Sequence, residues 1–142
     1  MVKYLGLDVG EARIGIAISD PSGSYALPLM ALDRKSIEQD TLAIQSLAKS
    51  YQVENTIVVG VPISLKGSIT IQTKIILDFC DHLSKALDYQ FVTWNESNTT
   101  LEAERILRNS GKKPSRNRGT VDATAASIIL QDYINHTKNL KA

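Results

Sequence analysis

The first part of the chain alternates between apolar and polar or small positions with a period of two. Residues 4–9 and 14–19 both follow this pattern, and the short segment 10–12 separates them. Period-two alternation is typical of half-buried strands, so the two runs are predicted to pair as an antiparallel hairpin. A third strand is predicted over residues 25–32, where Pro28 indicates an edge or a strand end because proline cannot donate a ladder hydrogen bond.

After residue 35 the apolar spacing becomes helical, and helical segments alternate with short apolar runs. The predicted elements are a helix opened by a capping box of Ser36 and Gln39, a strand over 56–61, a helix over 75–87, a strand over 90–94, a helix from Thr99 to about Gly111 and a last helix from about Thr120. The continuous β-branched run at 56–61 is typical of a parallel strand that is covered on both faces. This order predicts an α/β fold with a mixed five-stranded sheet and helices on both faces.

Composition supports a single folded domain over residues 1–142, with a polar tail at 137–142. Hydrophobic residues make up 43% of the chain and charged residues 22%, which is close to the average of globular proteins. No apolar run approaches the roughly 18 residues that span a bilayer, and the N-terminus lacks a signal-peptide layout. We therefore expect a cytoplasmic protein with no membrane partner. Cys80 is predicted to be a buried hydrophobe, and His82 and His136 to be structural or solvent-facing.

Positive charge is concentrated in one segment of the chain. Residues 104–118 contain six basic residues and one acidic residue, whereas the rest of the chain has 10 basic and 14 acidic residues. This asymmetry favours a polyanionic partner such as nucleic acid. Within the segment, 111–119 is poor in helix and strand formers and is predicted to be a mobile basic loop. The cations predicted to contact a phosphodiester backbone from this loop are Lys112, Lys113, Arg116 and Arg118.

Asp8 lies in the middle of an otherwise apolar predicted strand. If the isoleucines of the second strand share the core face with the apolar residues of the first, the opposite face carries Asp8 together with Gly6, Gly15 and Ala17. A buried carboxylate without compensating contacts costs several kcal/mol. The position therefore favours a functional role for Asp8.

Two more carboxylates are predicted to lie where they could share a site with Asp8. Glu96 directly follows the fifth strand, at the end of a parallel strand where α/β folds collect ligands, and Asp122 begins the last helix. Clustered carboxylates repel one another, and a hard divalent cation such as Mg²⁺ would neutralise them. Taken singly, Glu96 is explained as a loop acid and Asp122 as an acid stabilised by the helix dipole. The shared-site interpretation thus depends on Asp8.

The ordered set of motifs resembles the YqgF family over nearly the whole chain. The motifs are GLDVGEARIGIAISD at 6–20, IVVGVP at 57–62 with Gly67 beyond it, ESNTT at 96–100 followed by Glu102 and Ala103, GKK at 111–113, and VDATAASIILQ at 121–131. The resemblance implies an RNase H-like fold and a nuclease acting on the precursor of 16S rRNA or on branched DNA such as Holliday junctions. It also implies Asp8, Glu96 and Asp122 as catalytic ligands of Mg²⁺ or Mn²⁺, with Arg13, Lys112 and Lys113 on the nucleic-acid backbone.

Three classes of function remain open from the sequence. The first is a metal-dependent nuclease, for which a homodimer is expected if the substrate is a four-way junction. The second is a catalytically weak, nucleic-acid-binding ribosome-assembly factor, because Asn95 and Ser97 replace an acid and a cation that the family has beside Glu96. The third is a phosphate-transferring ATPase, against which the length of 142 residues argues, because such enzymes close two lobes around the nucleotide.

Overall fold

The computed structural model describes residues 1–62, 69–95 and 118–141, together with their side chains except those of residues 118 and 139–141. Five strands form one sheet, and helices lie on both of its faces. In chain order the described elements are β1 (Val2–Val9), β2 (Arg13–Ser19), β3 (Ala26–Asp33), α1 (Ile37–Ser50), β4 (Val53–Val61), α2 (Ile71–Ala86), β5 (Gln90–Asn95) and α3 (Arg118–Lys141). The helix predicted between Thr99 and Gly111 lies outside the described residues.

The sheet is mixed, with β1 at its centre and the strand order β3-β2-β1-β4-β5. β1 pairs with β2 in antiparallel orientation and with β4 in parallel orientation. Of the outer pairs, β2–β3 is antiparallel and β4–β5 is parallel. The predicted hairpin and the predicted parallel strands are confirmed. Pro28 lies on β3, which is an edge strand, as its missing donor requires.

Each face of the sheet has its own apolar core. Leucine, isoleucine and valine side chains of β1, β2 and β4 pack under α1 and α2, and include the fully buried Leu5, Leu7 and Ile16. Burying one such side chain contributes about 1.5–3 kcal/mol. The opposite face carries smaller residues and receives α3 at close range. A Cβ atom added to Gly6 would lie 2.9 Å from the Cβ of Leu130, so glycine is what allows this approach.

The N-termini of α1 and α2 are capped by hydroxyl side chains. Ser36 accepts a hydrogen bond from the main-chain N–H of Gln39 at 3.1 Å, which confirms the predicted cap of α1. Thr70 caps α2 in the same way through Thr73. The hydroxyl of Thr73 also donates to the carbonyl of Pro62 at 2.6 Å, and this bond ties the start of α2 to the end of β4.

The last helix extends beyond its predicted bounds at both ends. α3 begins at Arg118, so residues 118 and 119 of the predicted loop 111–119 are helical, and it continues to Lys141 through most of the predicted polar tail. The tail contains no glycine or proline to stop a helix, and the Thr137 hydroxyl donates to the Tyr133 carbonyl at 2.9 Å within the helix. Among the described residues, no helix is long and apolar enough to cross a membrane.

Candidate active site

Asp8 lies between two glycines on the central strand. It pairs in register with Gly15 of β2 on one side and with Gly60 of β4 on the other. Paired residues direct their side chains to the same face of a sheet, so neither neighbour places a side chain beside the Asp8 carboxylate. Asp8 is half-buried. The predicted small neighbour Gly15 is confirmed, and Gly60 is a second one that the sequence did not predict.

The main chain of α3 rests directly on β2 beside Asp8. A Cβ atom added to Gly15 would overlap the carbonyl oxygen of Asp122. Because Gly15 is the register partner of Asp8, this contact brings Asp8 and Asp122 to the same part of one sheet face. The helix and the hairpin are about 100 residues apart in the chain. Because Gly15 has no side chain, their main chains come into direct contact.

The carboxylate of Asp122 is held by Arg13, the first residue of β2. The Nε atom of Arg13 donates to Oδ2 of Asp122 at 2.6 Å, and the two side chains are 29% and 26% exposed. Asp122 is the fifth residue of α3 and lies beyond its first turn. Stabilisation by the helix dipole, which acts within the first turn, therefore does not explain this aspartate. Its described partner is a cation from the hairpin.

Arg34 fixes the hairpin turn that precedes Arg13. Its Nη1 donates to the carbonyl of Gly10 at 3.1 Å, and its Nε lies 3.2 Å from Oδ2 of the buried Asp40 on α1. Its guanidinium carbon also lies 4.7 Å from the ring centroid of Phe79 on α2. The turn between β1 and β2 is therefore attached to both helices of the opposite face. Sequence reasoning missed Arg34, because none of its partners has a recognisable spacing from it.

The third predicted carboxylate follows β5. That strand ends at Asn95, and Glu96 is the next residue, outside the described part of the chain. β4 lies between β1 and β5, so the strand that precedes Glu96 is not adjacent to the strand of Asp8. The residue of β4 at this level is Gly60, which pairs with both Asp8 and Trp94. Two strand spacings separate β1 from β5, roughly 10 Å.

Most basic residues of the predicted loop lie outside the described part of the chain, as Glu96 does. Lys112, Lys113 and Arg116 lie outside the described residues, and of Arg118 only its place at the start of α3 is described. The structure thus brings together Asp8, Arg13 and Asp122 among the predicted site residues. In residues 1–62, 69–95 and 118–141, no group of three histidine, cysteine, aspartate or glutamate residues could hold a metal ion.

Trp94 connects the end of β5 to the second half of α3. Its Nε1 donates to Oδ2 of Asp132 at 2.7 Å, its ring meets the ring of Tyr133 edge-on at 5.6 Å, and it lies 5.1 Å from the ring of His136. These contacts fix the strand just before Glu96. His136 is exposed, as is His82, which confirms the prediction for both histidines.

Cys80 takes no part in this site. It is buried on α2 within the core under β1 and β4, as predicted. Burial raises the pKa of its thiol, so the less reactive protonated form is favoured.

The donors described at the site fit a hard divalent cation. Carboxylate oxygens are the protein ligands that Mg²⁺ prefers, and one or two of them suffice when water and substrate phosphate complete the coordination shell. Asp8 and Asp122 supply two carboxylates on one face. On the β4 side Gly60 places no side chain beside Asp8, whereas the main chain of α3 covers Gly15.

Comparison with known proteins agrees with the fold and with the YqgF resemblance. Residues 2–136 match the family model described as "RuvX: Holliday junction resolvase". A protein of Syntrophus aciditrophicus named "Putative pre-16S rRNA nuclease" is 44% identical over 133 residues, which cover 94% of this chain and 88% of that protein. A protein of Halothermothrix orenii with the same name is 40% identical over 139 residues, which cover 98% and 99% of the two chains.

A solved structure of RuvC from Thermus thermophilus has a similar fold. Its TM-score is 0.59 at 12% sequence identity, and the match covers 98% of this chain and 97% of that one. This likeness confirms the RNase H-like fold that the motifs implied. With the family model matched from residue 2 to residue 136, the chain belongs to the RuvX family of Holliday junction resolvases.

Proposed function

We propose that this chain is a metal-dependent nuclease that hydrolyses phosphodiester bonds in nucleic acid. The observation that supports it most is the position of Asp8, a carboxylate between Gly15 and Gly60 with Asp122 on the same face. Asp8 lies on the central strand of the sheet, on the face that α3 covers. Carboxylates grouped on one face are what a site for a hard divalent cation needs.

Each proposed site residue has a distinct task. Asp8, Asp122 and Glu96 would hold Mg²⁺ or Mn²⁺, and Gly60, which places no side chain beside Asp8, would let the phosphodiester backbone approach the carboxylates. When bound in a two-metal arrangement, the ions would activate a water and stabilise the leaving oxygen. Arg13 and the cations of the segment 112–118 would hold phosphates on either side of the scissile bond.

Precursor 16S rRNA is the substrate that we favour. Relatives that are 44% and 40% identical over nearly the full chain carry the name pre-16S rRNA nuclease. The description of the matching family instead points to Holliday junctions, which would require a homodimer with two active sites. Phosphate contacts carry no base information, so the basic residues do not distinguish these substrates.

The test is cleavage of a substrate panel by the purified chain. We expect cleavage of precursor 16S rRNA with Mg²⁺ or Mn²⁺, none with EDTA, and little cleavage of single-stranded RNA of unrelated sequence or of four-way DNA junctions. Junction cleavage together with a dimeric solution mass would support the alternative substrate. Absence of cleavage on every substrate with either metal would refute the nuclease proposal.

A second candidate is a ribosome-assembly factor that binds precursor rRNA with little catalysis. Asn95, the last residue of β5, and Ser97 replace an acid and a cation that the family has beside Glu96. Fewer charges at this position would weaken metal and phosphate binding. Tight, salt-dependent binding of precursor rRNA without cleavage in the same panel would favour this function.

A further inference from the structure

We propose that Arg13 is an exchangeable counter-cation of Asp122, which competes with the metal ion for this carboxylate and moves to a substrate phosphate when substrate binds. The inference rests on the proposed metal site. Its starting observation is the direct contact of 2.6 Å between Nε of Arg13 and Oδ2 of Asp122. A guanidinium there occupies one oxygen of a carboxylate that a metal ion would need.

The two cations cannot share Asp122 at no cost. A guanidinium and a divalent ion bound to one carboxylate repel each other at short range. Metal binding therefore has to weaken or break the Arg13 contact, and breaking it lowers the apparent metal affinity. In the chain without substrate, Arg13 would keep Asp122 neutralised at the junction of α3 and β2.

Arg13 is placed to leave this contact without disturbing the core. It is the first residue of β2, directly after the hairpin turn, and its side chain is 29% exposed. Among the described residues, its side chain hydrogen-bonds to Asp122. Arg34 differs, because its side chain is 18% exposed and contacts a carboxylate, a carbonyl oxygen and an aromatic ring. Arg34, which directly follows β3, is therefore anchored, whereas Arg13 can be recruited by a new anion.

A substrate phosphate would supply that anion. The guanidinium group matches a phosphate with two parallel hydrogen bonds, which makes a phosphodiester a strong competitor for Arg13. Once Arg13 has moved, Asp122 is available to the metal. Substrate and metal would each strengthen the binding of the other, because coupling between two ligands is reciprocal. A loaded site would then form chiefly when nucleic acid is present.

Metal affinity measured without nucleic acid tests this competition. Mn²⁺ is titrated by calorimetry into wild type, Arg13→Gln, Asp122→Asn, the double variant and Lys35→Gln. Lys35 is a matched control, since it is exposed and lies two residues beyond Asp33, the register partner of Arg13. We expect Arg13→Gln to raise Mn²⁺ affinity by about fivefold, the ratio that loss of a ~1 kcal/mol ion pair gives. Lys35→Gln should raise the Mn²⁺ affinity by less than twofold, because solvent and salt screen an exposed surface charge.

The double variant shows whether Arg13 acts through Asp122. In the Asp122→Asn background, Arg13→Gln should raise Mn²⁺ affinity no more than Lys35→Gln does in wild type. A short phosphorothioate RNA that resists cleavage provides the second readout. Adding it should increase the Mn²⁺ affinity of wild type by a larger factor than that of Arg13→Gln. Thermal melting of each variant confirms that it is folded, and Arg13→Met, which also removes the charge, substitutes for Arg13→Gln if the latter unfolds.

The outcomes separate this inference from the proposed function. Equal Mn²⁺ affinity in wild type and Arg13→Gln, with Asp122→Asn weakened, would overturn the exchange and leave the metal site intact. A gain in Arg13→Gln that persists in the Asp122→Asn background would also overturn it, because the effect would then be general electrostatics. Failure of wild type to bind Mn²⁺ with or without RNA would overturn the metal site itself, and the exchange with it.

Discussion

Replacing Gly15 by alanine would place a methyl group where the carbonyl oxygen of Asp122 lies. The conflict is with main chain on a helix, so no side-chain rotation relieves it. The φ angle of Gly15 is not positive, and the expected effect is therefore steric rather than conformational. Overpacking of this kind costs about 1–3 kcal/mol, and we expect the upper part of that range because two main chains must separate.

The same substitution should also disturb the site. To accommodate the methyl group, α3 must move away from β2, which carries Asp122 away from Asp8 and Arg13. A displacement on the order of 1 Å in a catalytic group can lower a rate about a hundredfold. We therefore expect Gly15→Ala to lower both the free energy of unfolding in urea and the cleavage rate, with the rate reduced beyond what the unfolded fraction explains.

Gly119 offers a matched control on the same helix. A Cβ atom added there would lie 3.7 Å from the Cβ of Ala31, which is ordinary van der Waals contact. Gly119→Ala also replaces glycine by a better helix former, although the gain in the first turn of a helix is small. We expect unchanged or slightly increased stability and normal cleavage. If Gly15→Ala were as stable and as active as Gly119→Ala, the close approach of α3 to β2 and the site built on it would be refuted.

Three further variants test the basic segment, the hairpin support and the loop after β2. The first variant replaces four basic residues by alanine at once, namely Lys112, Lys113, Arg116 and Arg118. The slope of log affinity against log salt should fall by about 0.7 for each lost contact with single-stranded RNA. An unchanged slope and intercept would show that the segment is not part of the interface. Arg34→Ala leaves the buried Asp40 without its ion pair and should lower the free energy of unfolding in urea by about 3 kcal/mol, whereas Lys35→Ala should change it by less than about 0.5 kcal/mol. Hydrogen bonds from Ser22 and from the main-chain N–H of Tyr25 lower the pKa of Asp20 to about 2. The stabilisation that Asp20 provides is therefore present above its ordinary pKa of 3.8 and disappears as the pH falls through about 2, so the urea midpoints of wild type and Asp20→Asn should converge over this interval.

The parts of the site that follow local periodicity could be predicted from the sequence. Alternation in 4–9 and 14–19 predicted the hairpin and the small residues on the face of Asp8, because a period of two assigns every residue to a face. The capping pattern at Ser36 likewise predicted the start of α1. These features depend on neighbours within a few residues.

The parts that depend on distant pairing could not be predicted in this way. Gly60 is the second flank of Asp8 only because β4 inserts beside β1, which no local pattern reveals. Arg13 and Asp122 are 109 residues apart, and their contact results from the packing of α3 on Gly15. The sequence predicts that α3 begins at about Thr120, two residues after its observed start, because Gly119 suggests a loop. A glycine in the first turn costs a helix little, so Gly119 is helical.

Locating bound Mn²⁺ by its anomalous X-ray scattering, in crystals grown with uncleaved RNA, tests the shared metal site most directly. Our account predicts at least one ion with oxygen atoms of both Asp8 and Asp122 in its coordination shell, at about 2.0–2.3 Å, with Glu96 as a further ligand. It also predicts that Arg13 has left Asp122 for a phosphate. Mn²⁺ bound away from Asp8 in crystals of a chain that cleaves precursor rRNA would contradict the account.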